Sequence, residues 1–138
     1  MSRALRIAAL VWVTFVSIFA FASMGDTSAP HIAYHALALV LLVPAVVLAL
    51  RSRRAARSRA EGIVATALCV TLPLAILGHF LELAVAVRRL ASDGWVNRDT
   101  RDVFEGGAHL WVSNLTIPAM LLSMVLAVVL AVAARKPG

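Results

Sequence analysis

The sequence predicts an all-α fold, a four-helix transmembrane bundle with both termini cytoplasmic. Three observations carry this expectation. Of the 138 residues, 62% are hydrophobic and 14% charged, whereas a soluble domain is about half apolar and about a quarter charged. The apolar residues fall into four long blocks, each near the ~20 residues that a helix needs to cross a bilayer. Nine of the thirteen basic residues lie on one side of those blocks. Together they describe one integral membrane domain over residues 1–138, multi-pass and in the cell membrane. A mean hydropathy of +0.91 excludes a soluble enzyme and a disordered tail. The single cysteine excludes a disulfide-framed secreted module. A net charge of +6 invites a nucleic-acid reading, but the Lys and Arg side chains sit at span ends, with no soluble scaffold to present them.

The first span runs from about Leu5 to Met24 and the second from about His31 to Leu50. The third runs from about Gly62 to Val87 and the fourth from about Ala108 to Ala134. Pro30 suits the first turn of the second helix, where a missing N–H costs nothing. Pro44, Pro73 and Pro118 lie inside spans two, three and four, where neighbours or waters must satisfy the freed carbonyls. Arg3 and Arg6, the run Arg51, Arg53, Arg54, Arg57 and Arg59, and Arg135 with Lys136 mark the cytoplasmic side. That run is a topology anchor and can also meet acidic lipid headgroups or a cytosolic partner. The opposite side carries Arg88, Arg89, Arg98 and Arg101, offset by Asp93, Asp99, Asp102 and Glu105.

An alternative reading takes Arg3, Arg6, the apolar stretch and Ala20-Phe21-Ala22 as a signal peptide cut after Ala22. Three spans of the same sidedness would remain. The segment from Arg88 to Gly107 reads as the one sizeable soluble loop. Asp93-Gly94 is a turn signal, and Asp102 with Glu105 forms an N-cap pair before a loosening Gly106-Gly107.

Ionisable groups inside a membrane are costly and usually functional, and here all four histidines fall in or beside the outer half. His31 and His35 open span two, one helical turn apart, with His31 expected at the solvated mouth. His79 and Glu82 share a face of span three at a spacing of three. Nine residues before Arg88, His79 lies roughly 13 Å below the outer boundary. A carboxylate near that depth must be protonated, paired or reached by water. Arg88, Arg89 or a protonated His79 is the expected partner of Glu82. On span four the stripe His109, Ser113, Thr116, Met120, Ser123 follows helical spacing. Ala75, His79, Glu82 and Ala86 do so on span three, and Thr14, Ser17, Phe21 and Met24 on span one. Turning these faces inward gathers His35, His79, Glu82 and His109 into one pocket. Ala127 and Ala131 give span four a small-xxx-small face suited to a homo-oligomer, and Trp95 and Trp111 suit the interfacial belt.

Such a pocket is the raw material of three sites. One is a haem held by one or two histidines. Another is a transition metal ion with His35, His79, His109 and Glu82 as ligands. The third is a metal-free acid–base pair, His79 with Glu82, acting on a small hydrophobic substrate that arrives from the bilayer. A non-enzymatic accessory subunit or small transporter is the remaining reading.

Three segments carry a family likeness: HIAYHALALVLLVP opening span two, LGHFLELA in span three, and GGAHLWVSNLTIPAMLLSMV in span four. Together they resemble styrene-oxide isomerase, a small four-span haem b protein that rearranges aryl epoxides to aldehydes with ferric iron as Lewis acid. The resemblance implies His35, or else His31, as axial ligand and His79 on the substrate side. The family carries a tyrosine and asparagines in span three where this chain has His79, Phe80 and Glu82. The sequence expectation is therefore a membrane-embedded isomerase or oxidoreductase. His35 and His109 would hold the haem b or metal, and His79 and Glu82 would act as catalytic pair or further ligands.

Overall fold

The computed structural model describes residues 2–24, 28–94 and 108–135. They form four helices, α1 (Arg3–Ser23), α2 (Ser28–Arg54), α3 (Arg59–Asp93) and α4 (Ala108–Ala133), with no strand among the described residues. All four are long and apolar enough to cross a membrane. Only residues 55–58 separate α2 from α3, and short connections make consecutive helices antiparallel neighbours. Each helix packs on the next, and α1 closes the ring against α4.

Local chemistry sets the helix ends. Ser2 caps α1 by accepting from Leu5 N–H at 3.3 Å. Ser58 caps α3 by accepting from Glu61 N–H at 3.2 Å, while the Glu61 carboxylate accepts from Arg57 N–H at 2.8 Å. This Ser-x-x-Glu arrangement, with the Glu61 carboxylate reaching the residue before the cap, starts α3 at Arg59, ahead of the Gly62 expected from hydropathy. Arg51, Arg53 and Arg54 form the last turn of α2 rather than a loop, where their charge complements the helix dipole.

At its other end α3 runs on to Asp93, so the loop expected from Arg88 begins six residues later, at Gly94. Leaving the apolar layer does not unwind a helix of good formers such as Arg, Leu and Ala. Gly94, with φ of 76°, ends it in a conformation that suits glycine. Asp26, Trp95, Arg98, Asp99, Arg101, Asp102, Glu105 and the Gly106-Gly107 elbow lie outside the described residues.

The core runs through the half of the bundle that holds the termini. Ile7 and Val11 of α1 meet Leu42, Ala45 and Ala49 of α2, Leu68 and Leu72 of α3, and Met124, Ala127 and Leu130 of α4. Lipid is as apolar as leucine, so close packing of small residues, not expulsion of water, selects these faces. Val40, Val70 and Val125 stay on the outside, as do the rings of Pro44, Pro73 and Pro118.

One inward stripe agrees with its spacing in full and one in part. Ala75, His79, Glu82 and Ala86 are all buried on α3; on α4 Thr116, Met120 and Ser123 are buried and Ser113 is half-buried, while the His109 side chain lies outside the described residues. The α1 stripe is corrected: Thr14 is buried, but Met24 is exposed, and the buried face runs through Ala4, Ile7, Ala8 and Val11. Periodicity fixes a face; it does not say how far along the helix a neighbour follows it. The Ala127–Ala131 face is also used within the bundle, since Ala127 is fully buried and Ala131 packs against the core.

Mid-bundle, Ser123 donates to Thr71 Oγ1 at 2.9 Å, joining α4 to α3. Interhelical hydrogen bonds of this kind contribute about 0.6 kcal/mol and at most about 1.7 in a membrane protein. Ser123→Ala should therefore lower stability by roughly 0.6 kcal/mol, measured by denaturant titration in micelles. A loss above ~2 kcal/mol would mean that this pair also holds the packing around it.

Candidate functional site

The polar groups converge at the end of the bundle remote from the termini. α2 supplies His31 and His35 four residues apart, and Tyr34 beside them. α3 supplies His79 and Glu82 three apart. Both pairs lie one turn apart on a single helix face, and α2 and α3 pack directly on each other. Glycine makes the approach of α4 close. A Cβ on Gly78 would sit 2.8 Å from Thr116 Cβ and 3.1 Å from Thr116 Cα. The residue next to His79 therefore has to lack a side chain.

Burial is deep for such groups: His35 is 6% exposed, His79 2% and Glu82 3%. His35 Nδ1 and His79 Nδ1 lie 2.9 Å apart, a hydrogen bond in which one nitrogen carries the proton and the other accepts it. Among the described residues three rings stand beside His35, with centroids at 4.5 Å for His31, 5.0 Å for Tyr34 and 5.0 Å for His79. Tyr34 stands edge-on to His79 at 5.5 Å and reaches Phe21 of α1 at 6.1 Å. An aromatic wall thus extends from α1 to α3.

His31 Nε2 stands 4.0 Å from Glu82 Oε2, and one ligand atom from each of His31, His35 and Glu82 falls within 4.8 Å of the others. Of the partners expected for Glu82, Arg88 is exposed, Arg89 is half-buried and His79 turns its Nδ1 to His35; His31, expected at the solvated mouth, also stands beside the carboxylate. Its side chain is 16% exposed. The one-turn spacing of His31 and His35 puts both on one face of α2 but does not say which turn of α3 they meet.

The expected pocket of His35, His79, Glu82 and His109 is thus assembled in three of its members, with His31 added. His79 meets His35 directly instead of joining the group that closes around Glu82. His109 lies in the first turn of α4, and its side chain is outside the described residues.

Two imidazoles and a carboxylate are a donor set suited to zinc or iron, with room for a further ligand. Bonds of about 2.0–2.2 Å to a tetrahedral ion place ligand atoms roughly 3.4 Å apart. The three donors would close in by about an ångström, within reach of small side-chain rotations. A hydrogen bond on the other ring nitrogen of a ligating histidine is the usual support for such a ligand, and His79 stands where it would provide one.

No family model, curated protein or solved structure matches the chain.

Proposed function

We propose that this protein is a membrane-embedded metal protein in which His31, His35 and Glu82 hold one transition metal ion in the outer half of the bundle. It would act there on a small hydrophobic molecule, as an isomerase or oxidoreductase. The observation that carries this reading is the convergence of three donors in an otherwise apolar helical layer. An intramembrane ion pair adds little stability, so an ionisable cluster at such depth is best accounted for by a ligand.

A bound ion would supply Lewis-acid or redox chemistry to a substrate atom at its open position. The chain's own groups do the rest. His31, His35 and Glu82 fix the ion, His79 orients the His35 ring, and Tyr34 and Phe21 offer apolar surface to the substrate. The surrounding helices keep water from a reactive intermediate.

The experiment is elemental analysis and an absorbance spectrum on one detergent-purified sample. Stoichiometric zinc or iron without a Soret band is the expected result. A Soret band lost in His35→Ala would replace the ion by haem, as the resemblance to styrene-oxide isomerase implies. A folded protein that neither retains nor takes up metal or haem would leave the second reading, acid–base chemistry by His79 and Glu82. The buried His35–His79 hydrogen bond favours that alternative over an accessory role.

A further inference from the structure

His79 has one nitrogen accounted for and one not. Its Nδ1 meets His35, while its Nε2 is buried and has no hydrogen-bond partner among the described residues. Buried polar atoms in folded proteins nearly always find a partner, and an exception asks for a cause. We infer that His79 Nε2 carries a proton set there by the ion on His35, and that this N–H anchors an oxygen acceptor of a small apolar ligand. The inference rests on the metal reading above.

The argument follows the protons. His35 turns its Nδ1 to His79, so on the metal reading the ion would take its place on Nε2. A neutral imidazole that gives Nε2 to a metal keeps its proton on Nδ1. His35 Nδ1–H then donates, His79 Nδ1 accepts, and a neutral His79 must hold its own proton on Nε2. No proton is gained or lost; the ion only selects one tautomer pair. The outcome is a buried donor that faces no acceptor among the described residues.

A pure hydrocarbon leaves that donor unsatisfied, whereas a carbonyl, ether or hydroxyl oxygen satisfies it. Discrimination between such molecules is large when a buried polar group is otherwise left unpaired.

The test uses the full chain in micelles, labelled with 15N in its histidine rings, and zinc alone as the first probe. Long-range nitrogen–proton spectra separate protonated, bare and metal-bound ring nitrogens, and His79→Gln identifies the His79 signals by their loss. With zinc bound, His35 Nε2 should read as metal-bound and His79 as protonated on Nε2 and bare on Nδ1. Zinc bound with His79 Nε2 bare or itself metal-bound overturns the inference and leaves the metal site standing. No metal-bound histidine signal at all overturns the metal reading and this inference with it. Cyclohexanone and methylenecyclohexane, alike in shape, are then added to the zinc-loaded protein. The ketone alone should move the His79 Nε2–H resonance; equal responses, or none to either, overturn the oxygen anchor.

Discussion

Replacing Glu82 by glutamine should abolish zinc binding at the proposed site while leaving the helices folded. Glu82 is 3% exposed and supplies the only carboxylate of the three-donor group. A glutamine of the same shape offers a neutral amide oxygen, a poor ligand for zinc or iron. Loss of a supporting contact to a ligating histidine weakens metal affinity about 10–100-fold, and loss of a ligand should exceed that. His31→Ala and His35→Ala belong with Glu82→Gln in this larger class. His79→Ala belongs in the range of about 10–100-fold, because it removes the hydrogen bond behind His35 and not a donor. Stability should not follow the metal in the Glu82→Gln variant. A buried carboxylate in a membrane span is expensive, and its amide needs no counter-charge. Competition against a chelator and thermal unfolding of metal-free samples measure the two quantities separately. Zinc affinity unchanged in Glu82→Gln would sink the assignment. Loss of folded protein in step with loss of zinc would make Glu82 a structural residue.

Gly78→Ala should destabilise the bundle by about 1–3 kcal/mol, the cost of overpacking a close contact. The sign is informative, because glycine to alanine within a helix ordinarily stabilises by roughly 0.5–1 kcal/mol. Here the new Cβ would lie 2.8 Å from Thr116 Cβ and 3.1 Å from Thr116 Cα, and would overlap the hydroxyl. That hydroxyl donates to Val112 O at 2.7 Å, so turning it away forfeits a hydrogen bond. The Thr116 Cα cannot turn away at all, and the remaining relief is for α3 and α4 to separate next to His79. Zinc affinity should fall along with stability. Adding Thr116→Gly removes the Cβ contact and should restore part of both. Denaturation of the two variants beside wild type decides the point; a Gly78→Ala protein as stable as the parent would mean that the helices do not approach this closely.

Some of the site was legible before any coordinates. The i, i+3 spacing of His79 and Glu82 placed both on one inward face, and the polar stripe of α4 followed the same logic from Thr116 to Ser123. His31 was not legible in the same way. Its position at the mouth of span two suited a solvated residue, and only the start of α2 at Ser28 and its packing on α3 bring His31 to Glu82. The α1 stripe failed at Met24 for a related reason. A helix can turn the expected face inward over half its length and leave its neighbours over the rest.

The sequence by itself determined the number of helices long and apolar enough to span and the faces that α3 and α4 turn inward. These depend on properties counted along one chain: apolar length against bilayer thickness, and side-chain period against helical pitch. The tertiary structure alone decided which turn of α2 lies against which turn of α3, that His79 backs His35 while His31 meets Glu82, and that Gly78 must remain bare. Those choices depend on axial register and interhelical distance, which small residues and close packing set between helices far apart in sequence.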